Sequence, residues 1–264
     1  MKQDAIKSLF TRITNKAYVT VVQPMAEREF ISGGGQSLRY MFFRCRKSDV
    51  LAIGFQACYD GGARYNYVRT IKECGINRLF IKDDFGPNRC GDYYLGCNGT
   101  YSVENAVFEL IDRYIKLVKP KKIIFFGSSK GGYAAINFGL RYPDSKIIVA
   151  APQYYLGTYL DNYKWKGNLE EILGGSISAD NKYQLDNRLK EKILSDKYSK
   201  TQTVYLHYSD QEHTYEEHIA DLISDLNRVG IDVRENIEKY TIHGELKYYF
   251  PAYLSESIKH IKQE

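Results

Sequence analysis

The chain reads Gly127-Ser128-Ser129-Lys130-Gly131-Gly132 directly after the apolar run Ile123–Phe126 and directly before Tyr133–Leu140, whose apolar residues recur at helical spacing. A short buried strand, a tight glycine-flanked turn carrying a serine, and a helix together make a nucleophile elbow. Gly127 and Gly131 lie two residues either side of Ser129, so Ser129 and not Ser128 occupies the tip. A Cβ at either glycine would meet the neighbouring strand or helix, and the turn strains the serine backbone. The competing reading, a phosphate-binding loop, needs the spacing G-x-x-x-x-G-K-[ST], which this segment lacks.

A serine hydroxyl is a poor nucleophile at neutral pH and needs a base, an acid that orients the base, and donors for the oxyanion. Where an elbow of this kind sits in an α/β-hydrolase sheet, the chain order is serine, acid, histidine. Of five histidines, His243 alone sits where that order demands, directly after the strand-like Ile237–Ile242. The acid belongs after the strand-like Thr203–Tyr208, in YSDQEHTYEEH. Asp210 is narrowly preferred there and Glu212 is the close competitor. The oxyanion donors are expected to be the backbone N–H of Lys130 and one from Gln56 or Ala57, after the run Val50–Phe55. The Lys130 side chain is not required, and is left either to meet an anionic substrate or to point to solvent. His213 and His218 with Glu212 and Glu217 match no metal-binding spacing and read as a solvated helix start, so no metal is expected. Asp83-Asp84 ends a strand at the rim where such sheets bind ligands, and is either a substrate contact or a cap. Among 24 tyrosines, Tyr93-Tyr94, Tyr154-Tyr155, Tyr159 and Tyr248-Tyr249 fall in segments that would edge the pocket. Aromatic faces with hydroxyl handles suit sugar rings, and half-buried packing accounts for them equally well.

The elements that must position these groups alternate strand and helix. Strands are predicted over 18–22, 40–44, 50–55, 79–82, 123–126, 146–151, 203–208 and 237–242. Helices are predicted over 65–73, 102–118, 133–140, 215–229 and 246–262, with glycine or proline closing several of them. Gly33-Gly34-Gly35 marks a turn between the first two strands. Such an order gives a mostly parallel sheet with helices on both faces, an α/β-hydrolase fold. The segment 153–200 is far longer than an ordinary connection of roughly 2 to 6 residues, and predicts a partly helical cap over the site, its lysines drawing in an anionic polymer.

Composition sets the frame. The 264 residues fit a single domain, 26% are charged and 44% hydrophobic, and the net charge of +5 is too mild to argue for nucleic acid. No stretch approaches the roughly 18 to 20 apolar residues of a membrane span. The opening MKQDAIKSLFTRITNKAY is interrupted by polar residues and does not read as a secretory signal. Five cysteines, odd in number and without a C-x-x-C pair, read as reduced thiols of a cytoplasmic protein.

GSSKGG, then IIVAAPQYYLGTYL, YSDQEHTYEEH and a late IHGELKYYFPAYL, resemble the XcbB/CpsF group of bacterial capsular polysaccharide biosynthesis proteins. The same block order is similar to that of α/β-hydrolase-fold capsule O-acetyltransferases. The resemblance runs from about Val50 onward, and GSSKGG with Ala151-Pro152-Gln153 is its most specific part. It implies a serine triad that moves acetyl from acetyl-CoA to sugar hydroxyls. Ser129 and His243 carry over, and either Asp210 or Glu212 aligns with the acid. It further implies no bound cofactor, acetyl-CoA as acyl donor, a polysaccharide or sugar acceptor, and peripheral association with capsule assembly machinery. A carbohydrate esterase, deacetylase or acyl-ester hydrolase would use the same residues. A non-catalytic capsule or glycoprotein export factor would keep only the fold.

Overall fold

Eight strands carry the computed structural model, which describes residues 16–162 and 164–264. They are β1 (Glu27–Ile31), β2 (Ser37–Phe43), β3 (Val50–Phe55), β4 (Asn77–Ile81), β5 (Lys122–Ser128), β6 (Lys146–Ala150), β7 (Thr203–Ser209) and β8 (Asp232–Glu238). They pair in the order β1-β2-β4-β3-β5-β6-β7-β8. The β1–β2 and β2–β4 pairs are antiparallel and the remaining pairs parallel. Every residue of β3 is buried, as a strand covered on both faces requires. Successive side chains point to opposite faces. Leu51, Ile53, Phe125, Ile147 and Val149 join one core cluster, and Val50, Ala52, Ile124, Phe126 and Ile148 join the other.

Helices close both faces. The first cluster takes Val107, Leu110 and Ile111 from α2 (Ser102–Val118) and Phe138 from α3 (Lys130–Gly139). The second takes Phe250, Leu254 and Ile258 from α8 (Leu246–Gln263). Each such side chain contributes roughly 1.5–3 kcal/mol by leaving water. This is the α/β-hydrolase fold, and it brings the carboxyl ends of β5, β7 and β8 to one rim.

Three local expectations are overturned. The β-branched run 18–22 is part of a helix, α1 (residues 16–26), not a strand. Val19 packs into the second cluster while Val21 faces solvent, so tertiary packing overrides a propensity difference of a few tenths of a kcal/mol per residue. The helix expected over 65–73 is a series of turns ending in a single 3₁₀ turn, Lys72–Cys74, although Gly75 does close it in the left-handed region at φ 61°. The final strand ends at Glu238, so His243 follows it by a short loop instead of directly. Residues 1–15, on which most of the reading of the N-terminus rests, lie outside the described residues.

The segment 153–200 forms α4 (Leu156–Asn162), α5 (Lys166–Leu173) and α6 (Ala179–Leu194). Their inward residues Leu156, Leu160, Leu169, Ile172, Leu185, Leu189 and Ile193 are fully or almost fully buried in the first cluster. α6 starts on a capping box between Ser178 and Asn181, which satisfies helix-end N–H groups. A π turn, Tyr215–Ile219, leads into α7 (Ala220–Arg228).

Candidate active site

Ser129 stands between the end of β5 and the start of α3, at φ 52° and ψ −121°. A non-glycine residue held there costs on the order of 1–3 kcal/mol, and persists only where its surroundings demand it. Those surroundings are visible at the two glycines. A Cβ on Gly127 would run into the backbone of Gly131, and a Cβ on Gly131 would lie 2.6 Å from the Phe55 carbonyl oxygen. Ser128 points elsewhere, its hydroxyl 2.7 Å from the Tyr67 hydroxyl.

The histidine and its acid meet across the loops after β8 and β7. His243 Nδ1 lies 3.0 Å from Glu212 Oε1. The Glu212 side chain has no exposed surface, and Thr214 Oγ1 donates to its second oxygen. His213 Nε2 is also 3.2 Å from Oε1. Burial alone would raise the Glu212 pKa. The hydrogen bond and charge of His243, with Thr214 and His213, outweigh it and hold the carboxyl below its ordinary value. Asp210, the acid preferred from sequence, is exposed on the turn after β7 and makes no hydrogen bond to His243. The strand runs to Ser209, one residue further than expected. Glu212, three residues past the strand end, is the carboxylate turned inward. A carboxylate on Nδ1 fixes the tautomer that leaves Nε2 free to take a proton.

The Ser129 hydroxyl accepts a hydrogen bond from Gln153 Nε2 at 3.1 Å, and this is its hydrogen-bond partner among the described residues. Gln153 is fully buried, and Tyr93 Oη donates to its Oε1 at 3.4 Å, which fixes which end of the amide faces the serine. Sequence reasoning noted Ala151-Pro152-Gln153 as a motif without giving Gln153 a place beside the nucleophile. Its position directly after β6, next to β5 in the sheet, was the available signal.

The expected oxyanion donors divide. The Lys130 N–H lies at the first turn of α3, where no carbonyl of the helix can reach it. Gln56 N–H donates to Tyr94 Oη at 2.8 Å inside the core, which removes it from the candidates. Ala57 N–H donates to Asn66 Oδ1 at 2.9 Å. Its partner Asn66 is half-buried and also donates to Tyr59 Oη at 2.7 Å.

The Lys130 side chain neither meets a substrate site nor points to solvent. It is fully buried, with Nζ 2.7 Å from Asp83 Oδ2 and 3.1 Å from the Cys90 carbonyl oxygen. Burial opposes its charge, but Asp83 prevails and raises its pKa. Asp83 also accepts from the N–H groups of Asp92 and Tyr94, and Asp84 pairs with Arg39 and Arg89. Both aspartates are thus engaged within the protein. Tyr93, Tyr94 and Tyr154 are core residues, while Tyr155 and Tyr159 line a groove. The lysines of 153–200 are largely engaged within the protein. Lys164 pairs with Asp60, Lys166 and Lys182 with Asp161, Lys190 with Asp225, and Lys192 with Glu104. No group of three or more His, Cys, Asp or Glu side chains is arranged so that it could hold a metal ion among the described residues. Tyr159, Lys164, Trp165, His213, Thr214 and His243 line a cavity of roughly 330 Å³. Residues from 153–200 thus face the histidine.

No protein-family model and no curated protein matches the chain. Many solved structures do. A capsule O-acetyltransferase of Neisseria meningitidis serogroup A, a histidine-to-alanine mutant in complex with CoA, is 21% identical, covers 88% of this chain and 94% of its own, and has a TM-score of 0.71. A Glycosylation Associate Protein complex from Streptococcus agalactiae gives a TM-score of 0.73 at 15% identity, over 89% of this chain and 46% of that one. A fluorophosphonate-binding serine hydrolase of Staphylococcus aureus gives 0.58 at 15% identity, over 90% and 96%. At these identities the likeness establishes the fold. It does not extend to the XcbB/CpsF grouping.

Proposed function

We propose that this chain is a serine-dependent O-acyltransferase that acetylates a hydroxyl of a capsular or surface polysaccharide, with acetyl-CoA as substrate. The observation that carries the reading is Ser129, held at φ 52° on a glycine-walled elbow, on the rim that also holds the His243–Glu212 pair. The likeness to a capsule O-acetyltransferase bound to CoA supports the donor. With the Ser129 hydroxyl turned from Gln153 toward His243 Nε2, the imidazole removes its proton as the oxygen attacks the thioester carbonyl. Glu212 steadies the imidazolium. The Lys130 N–H receives the oxyanion, joined by the Ala57 N–H once Asn66 swings aside. Collapse expels the thiolate of CoA, which takes the proton from His243 and leaves acetyl-Ser129. A sugar hydroxyl then gives its proton to His243 and attacks the ester. The second collapse returns that proton to Ser129 and releases the O-acetyl sugar.

Helices α4 to α6 act as the cap over this chemistry within a single domain. No helix among the described residues is long and apolar enough to cross a membrane. We assign the enzyme to the cytoplasm, where acetyl-CoA is made, with peripheral attachment to capsule assembly machinery. The decisive experiment mixes protein, acetyl-CoA and capsule oligosaccharide and follows free thiol and sugar acetylation together. Thiol release that requires the oligosaccharide and yields acetylated sugar supports a transferase. Sugar-independent thiol release, or loss of acetyl from an acetylated glycan, would make it a hydrolase. A non-catalytic export factor has one observation in its favour, the hydroxyl of Ser129 resting on Gln153, and predicts no Ser129-dependent chemistry at all.

A further inference from the structure

A second cavity, of roughly 510 Å³, lies where α4, α6 and the π turn before α7 converge. His218 forms part of its wall and is 3% exposed. The Tyr155 N–H donates to His218 Nδ1 at 3.4 Å, so the neutral ring carries its proton on Nε2. Burial depresses the pKa of His218 to about 4 and keeps the ring neutral. Nε2 has no hydrogen-bond partner among the described residues. An N–H donor buried without an acceptor is costly, and this one belongs to a side chain in the wall of the cavity.

The rest of the wall says what kind of acceptor. The rings of Tyr155 and Tyr159 lie 6.3 and 5.7 Å from that of His218. Tyr183 stands at the rim with 68% of its surface exposed. Flat apolar faces edged by hydroxyls match the C–H faces of a pyranose. The charges disfavour an anion. Asp186 and Glu217 line the groove against Lys190, whose ammonium lies 3.4 Å from Asp225. Asp186 accepts from the N–H and hydroxyl of Thr158 and Glu217 lies 3.0 Å from His213, so a phosphate or uronate would approach two carboxylates and a lysine already paired with Asp225. Tyr159 is also a wall of the cavity containing His243, so the groove lies next to the proposed acylation site.

We propose that this groove is an acceptor subsite for an uncharged glycan, with His218 Nε2–H donating to a hydroxyl or acetamido oxygen and Tyr183 covering a ring face. The role as an acceptor subsite rests on the transferase reading, whereas glycan binding does not. Binding is measured by calorimetry on the Ser129→Ala protein, with a tetramer of N-acetylglucosamine and a tetramer of galacturonate as probes. We expect the uncharged tetramer to bind and the uronate not to bind at the same millimolar concentrations. Tyr183→Ala should weaken binding about three- to tenfold, the range of one lost aromatic contact. His218→Phe keeps the ring and removes the donor, and should weaken it similarly. Tyr183, at the surface, provides the test if His218→Phe fails to fold. Preference for the uronate, absence of binding by the uncharged probe, or affinity unchanged in Tyr183→Ala would overturn the proposal. Ser129-dependent ester hydrolysis is measured in parallel on the wild type. If it is absent while the binding pattern holds, the transferase reading fails and the groove stands. If it is present while the pattern fails, the groove alone is wrong.

Discussion

A single buried carboxylate decides how the proposed triad is wired. Glu212 accepts from Thr214 with one oxygen and meets His243 with the other, so it orients the imidazole and is itself oriented. Glu212→Gln should leave the fold intact and lower turnover by about 10³- to 10⁴-fold, the scale of a lost tautomer lock. Asp210→Asn, at an exposed turn, should change it less than about twofold, as expected for a surface substitution away from the site. Steady-state acetyl-CoA turnover of the two variants settles the matter, and the reverse ranking would return the role to Asp210. The same assay separates the two serines. Ser129→Ala should abolish turnover, while Ser128→Ala, which loses a hydrogen bond to Tyr67, should retain most of it. Equal loss from both would show that the elbow places the wrong residue at its tip.

Elements position these residues through contacts of very different sequence range, and that range governs what could be read in advance. β3, β5, β6 and β7 announce themselves as short apolar runs because both their faces are buried, and the elbow is legible because its glycines and serine fall within five residues. One of the contacts that require them, Phe55 against Gly131, is nonetheless distant in sequence. α1 and the turns over 65–73 are not legible, because their conformation depends on packing against strands far away in the chain. The acid was open between two positions because which side chain of the loop after β7 turns inward is set by its packing against the loop that holds His243, 31 residues later. Lys130 is the sharpest case, since its fate depends on Asp83, 47 residues earlier. Removing one member of such a pair leaves a buried charge uncompensated, typically costing about 3–5 kcal/mol. Lys130→Met should therefore lower the free energy of urea unfolding by roughly that amount. A loss below about 1 kcal/mol would place it among surface ion pairs and deny it a structural role.

At the scale of the whole molecule, pH reveals how many polar groups the fold holds out of water. His207 and His218 are both buried with pKa values pushed below the ordinary histidine value, while Asp92 is raised by its burial and by Asp83. These shifts oppose one another, so the wild-type curve alone assigns nothing. A comparison with His218→Phe does. The unfolded chain binds a proton at this residue from about pH 6.5 downward, whereas the folded chain resists until about pH 4. Across that window the unfolded state holds more protons, so acidification removes stability that is fully present above pH 6.5. A shift from 6.5 to about 4 corresponds to roughly 3 kcal/mol. His218→Phe lacks this liability, and the contributions of His207, Asp92 and Glu212 cancel in the difference. The variant should therefore gain about 3 kcal/mol relative to the wild type between pH 6.5 and 4, read from urea unfolding at each pH. Parallel curves would mean that water or a proton reaches His218 freely, and that its Nε2 is not the buried, unsatisfied donor that the groove's affinity for a glycan requires.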